Sequence, residues 1–475
     1  MKYLFLGMVG FLGILSLLAY AMIPSPRDQD KVPLVWVSDH NPQREPQIER
    51  FNRLHPQCSL RLDPNNAGVT KIIVQSCANV GPDIIDVYGV QQLQTYVEAG
   101  ILLDVTEIAR EMGFDPSMTY PKAGEGLQIE GRQYSYPCNV NVDIIFYNKN
   151  IFDRMEVPYP PRICTWDEMV HVAEQVTLRS EGSKLPECFG LANVHWQSLL
   201  RQNGGKIFSE DGTRCVVDSA EAVEAIQFYR DLLHRYNVTP TLLQRTAMAG
   251  EGGWGQGWLN WFGAQRLAMI QVGKWGLITF RMYIREQRRA KERWERENPG
   301  AVYPGPEPLR LGACHVPHFR DKPRCVILDS RSAAVNRLSP HAMEAVRFLA
   351  YLTTQEYCET INEGADALPG NPRFGTVEAM HNPAFPEEDI MNELTIEATQ
   401  WGVVKQVSPF IDASTALRLI ETQIQRIEAD PKLDVAAAMR LAARDVNEQI
   451  QKNVDREPHL KERYKRVVAE RGRDH

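Results

Sequence analysis

Val32-Pro33-Leu34-Val35-Trp36-Val37-Ser38-Asp39-His40-Asn41-Pro42 is an apolar run that ends in a polar turn. Continuous apolarity from Leu34 to Val37 is what a parallel strand buried on both faces requires. Ile48, Phe51 and Leu54 follow at helical spacing. A second strand is expected over Ser59–Leu62 and a helix over Val69–Cys77, and Gly81-Pro82-Asp83 opens a third strand, Ile84–Tyr88. This β-α-β-α-β alternation argues for an α/β fold with a parallel sheet covered by helices. Ligands of such sheets sit at the carboxyl ends of the strands. That rule singles out Ser38 to Asn41 and Tyr88 to Gln91, each of which also reads as a plain helix-capping turn.

Outward from there, two strand-like runs, Arg132–Tyr136 and Val142–Tyr147, are joined through Pro137-Cys138-Asn139-Val140-Asn141. Thr165-Trp166-Asp167-Glu168 has capping-box spacing and predicts a helix start. Asp218 and Glu221 open another helix, Ser339-Pro340 begins a third, and Val435, Met439, Ala442, Val446 and Ile450 mark the last. The arginine- and glutamate-rich stretch Arg281–Glu297 reads as a solvated surface helix, and Lys461–His475 as peripheral.

A chain of 475 residues exceeds what one hydrophobic core supports, so two lobes are expected. A net charge of -7 excludes the basic face that general nucleic-acid binding needs. Lys2 precedes an apolar run, Tyr3–Ile23, about long enough to span a membrane, and Ala19-Tyr20-Ala21 has small-x-small character. Residues 1–24 are therefore a signal peptide or a retained membrane anchor, which places the remainder outside the cytoplasm. The nine cysteines show no zinc spacing. Cys314 and Cys325 flank a stretch able to form a hairpin and are the expected disulfide.

Several short motifs then fall in one order. They are Gly81-Pro82-Asp83-Ile84-Ile85, Glu98-Ala99-Gly100-Ile101-Leu102, Gly131 to Pro137 with Phe146-Tyr147-Asn148-Lys149, and Thr165 to Glu168. Gln202-Asn203-Gly204-Gly205, Asp218 to Val223 and Ala268-Met269 to Gly273-Lys274-Trp275 continue the series. In this order, over roughly Val32 to Asn453, the chain resembles the family-one extracellular solute-binding proteins, the maltose-binding-protein-like group. The resemblance implies a two-lobed periplasmic-binding-protein fold with an interlobe ligand cleft and hinge crossovers. Its N-terminal lobe would comprise 32–139 plus 330–372, and its C-terminal lobe 143–328 plus 376–455, with 456–475 a charged tail.

Sugar recognition needs aromatic rings for the C–H faces of a pyranose and planar polar groups for its hydroxyls. By motif, the resemblance nominates Trp275 for stacking, with Tyr136, Phe410, His195 and Trp196. Trp254, amid glycines that allow close backbone approach, is added from the residues alone, while Trp36, Trp258 and Trp261 are assigned to core. The polar set is His40, Asn41, Tyr88, Gln91, Asn139 and Asn141. Asn141 stands where maltose-binding protein carries a glutamate, a departure that puts maltodextrin specificity in doubt. Arg331 reads as an interlobe ion pair with Asp329, or else as a clamp for an anionic group.

The implied function is the substrate-binding component of an ABC importer, with a small-molecule carbohydrate ligand and membrane permease subunits as partners. The resemblance implies a monomer with no cofactor, no metal and no catalysis. One rival is an anchored sensor subunit that shares every feature except the partner. Another is a secreted glycoside hydrolase, which needs two carboxylates facing each other across the sugar; no motif places such a pair.

Overall fold

A computed structural model describes residue 13 and residues 31–65, 68–179, 186–248 and 256–471. The apolar run Tyr3–Ile23, Gly13 apart, and Trp254 lie outside the described residues. No described helix is long and apolar enough to cross a membrane.

The expected opening alternation is present. Strands β1 (Val32–Val37), β2 (Cys58–Asp63) and β3 (Ile84–Tyr88) are separated by helices α1 (Arg44–Leu54) and α2 (Val69–Cys77). β1 runs parallel to both β2 and β3. The sheet continues through β4 (Ser135–Asn148), β5 (Phe189–Ala192), β6 (Leu267–Gly273), β7 (Leu311–Cys314) and β8 (Val326–Val335). The strand order is β2-β1-β3-β8-β4-β6-β5, with β7 also paired to β4. β8 is antiparallel to β3 and to β4, and β4 is antiparallel to β6.

β4 corrects one expectation. The two runs joined through Pro137 form a single strand of 14 residues. Proline donates no ladder hydrogen bond and is tolerated at a bulge, and the register to β8 shifts at Arg331/Ser332, opposite Pro137 and Asn139. β4 thereby passes from one apolar core to another. Tyr136 and Cys138 pack with Leu34, Trp36 and Ala333. Ile145 packs with Trp166, Leu199, Met269 and Phe410, while Ile144 and Phe146 pack with Phe262 and Phe280.

Local chemistry sets the helix starts. Thr165 caps α3 (Trp166–Gln175) with the expected reciprocal capping box to Glu168. The helix expected at Ser339-Pro340 begins instead at Ala342, because the Ser339 hydroxyl donates to Asp83 and accepts the His341 N–H. The charged stretch is a helix, Leu277–Glu297, whose buried residues all lie between Leu277 and Ile284.

Two further expectations are overturned. Cys314 and Cys325 are both free thiols. β7 and β8 do not form a hairpin; each pairs with β4, Cys314 opposite Ile145 and Leu328 opposite Val142. The charged tail is not peripheral up to Arg471. Pro458–Arg471 is a helix that packs Leu460, Tyr464 and Val467 onto the second core. Arg463 on that helix pairs with Glu130 from the hairpin of the first half.

Candidate ligand cleft

β4, β6 and β8 lie side by side, and their registers assemble a polar floor. Asp329 stands opposite Asn141, and Asp143 opposite Gly273. Side chains alternate along a strand, so Asn141 and Asp143 share a face with Gln271. Gln271 Nε2 donates to Asp143 Oδ2 at 3.1 Å, Asn141 Nδ2 reaches Asp143 Oδ1 at 3.5 Å, and Asn193 Nδ2 donates to the Gln271 carbonyl at 2.8 Å. Lys405 Nζ donates to Asp329 Oδ2 at 2.6 Å, and the Asp329 charge holds the Lys405 pKa above its usual value. Two glycines make the floor possible. Gly89 has φ +76°, and a Cβ there would lie 2.1 Å from Asp329 Oδ1; a Cβ on Gly273 would lie 1.6 Å from Asn141 Oδ1.

On the N-terminal side, the turn after β1 rests on a buried charge network. Arg331 donates to Asp86 Oδ2 at 3.1 Å and approaches Asp366 Oδ2 at 3.6 Å. Arg44 donates to Asp39 Oδ1 and to Asp366 Oδ2, both at 2.8 Å. Trp36 Nε1 donates to Asp86 Oδ1 at 2.6 Å and Ser38 Oγ to Asp86 Oδ2 at 2.5 Å. Burial raises the Asp39 pKa, but Arg44 and Arg331 outweigh it and hold the carboxyl below its ordinary range. Burial pushes Asp86 the other way, against the attraction of Arg331.

The opposite wall is a cavity of about 290 Å³ lined by Asn193, His195, Trp196, Trp258, Arg245 and Glu421 among others. Tyr229 Oη donates to Glu428 Oε1 at 2.5 Å and Arg245 pairs with the same carboxylate. Desolvation lowers the His195 pKa against the pull of Asp143, favouring a neutral imidazole. Burial likewise raises Glu421. Indole rings beside carboxylate and imidazole groups supply both demands of saccharide recognition.

A larger cavity, about 1140 Å³, lies between residues 94–98, the hairpin 128–134 and the C-terminal helices. Three of its arginines are ion-paired: Arg463 with Glu130 and Arg456 with Glu457 on the rim, and Arg132 with Asp104 outside it. Phe410 is the one nominated residue that lines it.

The structure brings His195 and Trp196 together at the smaller cavity and puts Asn141 on the floor. Trp275 is half-buried, in the turn directly after β6, packed against the Phe262–Phe280 core. His40 and Tyr88 are exposed at the ends of β1 and β3, whereas Asn139 is buried opposite Arg331. Gln91 donates its amide to the Gln406 carbonyl at 3.2 Å. Asn41 is buried, and its Oδ1 accepts the Gln43 N–H at 2.9 Å, closing a turn ahead of α1, which has no side-chain cap.

Several nominations are corrected. Tyr136 and Phe410 have no exposed surface. The Tyr136 hydroxyl donates to the Met118 carbonyl at 2.9 Å, and Phe410 packs edge-on against Tyr464 at 5.2 Å. Arg331 pairs with Asp86 and Asp366, while Asp329 takes Lys405. Trp258 packs against the Phe262–Phe280 core as assigned, and it also lines the smaller cavity. Asp143, Asn193, Gln271 and Lys405 were missed, while Asp39 falls within the turn singled out at Ser38 to Asn41. Period-two alternation from Asn141 points to Asp143; nothing in the sequence pairs Lys405 with Asp329.

The profile of the family described as bacterial extracellular solute-binding protein matches residues 47–387. Among curated relatives, a multiple sugar-binding protein of Streptococcus mutans is 25% identical over 183 residues, 37% of this chain and 42% of that protein. A diacetylchitobiose binding protein of Streptomyces coelicolor is 26% identical over 142 residues, 30% of this chain and 31% of the relative. The matched stretches thus span less than half the length of these relatives. Among solved structures, an ABC substrate-binding protein from Listeria monocytogenes in complex with cycloalternan superposes with a TM-score of 0.70. Its identity is 18%, over 89% of this chain and 100% of that one. Maltose-bound MalE3 of T. maritima gives a TM-score of 0.64 at 16% identity, over 87% of this chain and 98% of that one.

Proposed function

This chain belongs to the bacterial extracellular solute-binding proteins, and from that premise we propose that it is the extracytoplasmic substrate-binding component of an ABC importer, taking a carbohydrate between two lobes. The observation that carries the reading is the floor at Asn141, Asp143 and Gln271, flanked by the Trp196–Trp258 cavity. Planar amides and a carboxylate match sugar hydroxyls, and the indoles match the C–H faces. The curated relatives described above are named for the sugars they bind.

The lobes comprise 32–139 plus 330–372 and 143–328 plus 376–455, and β4 and β8 are the crossovers about which they hinge. A ligand touching both walls favours the closed form through its greater affinity for that form, and membrane permease subunits recognise the result. The protein acts as a monomer and performs no chemistry. Residues 1–24 serve as a cleaved signal or as a membrane tether.

A thermal-shift screen against neutral sugars, uronates, sulfated sugars and glycerophosphodiesters tests this reading, because a ligand of the folded state raises the melting temperature. A rise with one sugar class, reduced at least tenfold in apparent affinity by Trp275→Ala, is expected. Product release from an oligosaccharide contradicts the binding role, and silence from folded protein contradicts the carbohydrate ligand.

A further inference from the structure

We infer that Asp143 is the ligand-facing acceptor of the cleft, and that the saccharide it selects carries no anionic group, an amine in place of a hydroxyl being favoured. This rests on the carbohydrate reading above and narrows it.

Each step is a matter of which donors are already used. The amides of Gln271 and Asn141 both turn their N–H groups toward Asp143. Their carbonyl oxygens, Gln271 Oε1 and Asn141 Oδ1, have no hydrogen-bond partner among the described residues. Gln271 is only 1% exposed, so its orientation is imposed by Asp143 and the surrounding strands. An ionised carboxylate is acceptor-only and offers about four lone-pair sites, of which these amides occupy two. The two amide oxygens are buried, so the acceptor open to a ligand is the half-buried Asp143 carboxylate, and a ligand must bring donors to it.

The cations nearby are committed. Arg44 and Arg331 lie between Asp39, Asp86 and Asp366, and Lys405 lies on Asp329. With Asp143, these groups count five acids against three bases, a formal balance of -2. Across the cleft, Arg245 is paired with Glu428, and Glu421 stands beside them. The Arg331 guanidinium is buried against Asp86 and Asp366, which neutralise its charge, although its Nε and one Nη have no hydrogen-bond partner among the described residues. A uronate or sulfate placed here meets like charge at reduced dielectric, where repulsion is far stronger than in water. Neutral hydroxyls meet charge-assisted hydrogen bonds, and an ammonium gains further.

The test is isothermal titration calorimetry on the purified protein with matched α-1,4 and β-1,4 disaccharides. Each set has a neutral member, one with an amine replacing a hydroxyl, and one oxidised to a uronate. The neutral and amine members should bind, with the uronate at least tenfold weaker. Asp143→Asn should weaken neutral sugars by roughly ten- to a hundredfold and shrink the preference for amine over uronate. Gln271→Met, which only frees Asp143 from one orienting amide, should move the same affinities by less. Uronate binding as tight as the neutral sugar, or a folded Asp143→Asn protein with unchanged affinities, overturns the inference. Absence of heat with every sugar, from protein shown to be folded, defeats the carbohydrate reading itself.

Discussion

Arg331 shows how a residue's chemistry is decided by its neighbours more than by its type. A guanidinium near a cleft reads from sequence as a ligand clamp or as the partner of the nearest aspartate. In the folded protein its side chain is 5% exposed, with Asp86 and Asp366 as partners and Trp36 beneath it at 5.6 Å. Removing one member of a buried pair leaves the other charged and desolvated, a loss of roughly 3–5 kcal/mol. Arg331→Ala is accordingly expected to lower unfolding stability by about that amount, read by urea denaturation. A loss of ligand affinity at unchanged stability would show that the guanidinium serves the ligand instead. The sequence could not assign this pairing, because Asp86 lies 245 residues from Arg331 and is brought to it only by tertiary structure. Tyr136 and Phe410 were misplaced for a related reason. A motif places the backbone near the cleft, but which way the ring points is settled by the core it fills.

At the scale of elements, the opening β-α-β-α-β order was legible because its strands are apolar runs, with Ile84 to Val87 buried on both faces, and its turns are polar. Capping chemistry was equally legible at Thr165, where the spacing alone fixes which N–H groups are satisfied. β4 was not. Proline reads as a strand breaker, and the bulge at Cys138, next to Pro137 in β4 itself, lets the strand run on. That continuity matters, since it sets Asn141 and Asp143 over the facing strand β6, where Gly273 leaves room. Gly273→Ala puts a methyl on the Asn141 amide, so the floor must shift. Overpacking of this kind costs roughly 1–3 kcal/mol. We expect a moderate fall in melting temperature together with at least a tenfold loss of sugar affinity. An unaffected affinity in calorimetry would mean that the Asn141 position does not shape the site.

Among the described residues, one large sheet feeds two sets of cores, with its shared strands β4 and β8 at the place where the polar groups converge. Family motifs made that architecture readable over most of the chain. The docking of the C-terminal helix Pro458–Arg471 was not readable, because half of its residues are charged and its apolar positions are few. Its docking depends on Leu460, Tyr464 and Val467 meeting a surface assembled from distant segments. The same distinction governs the candidate site. Residues at strand ends could be nominated in advance, whereas the pairs Asp329–Lys405 and Asp143–Gln271 exist only once the crossovers are built. The central claim, a carbohydrate clamped between two walls over this floor, is tested most directly by hydrogen exchange with and without a saturating sugar. Concerted protection at Ser38–Asn41, Asn141–Asp143 and Asn193–Trp196 is the predicted result. Protection confined to one wall, or found instead around the larger cavity at Gln94–Glu98 and Asn453–Arg466, would contradict it.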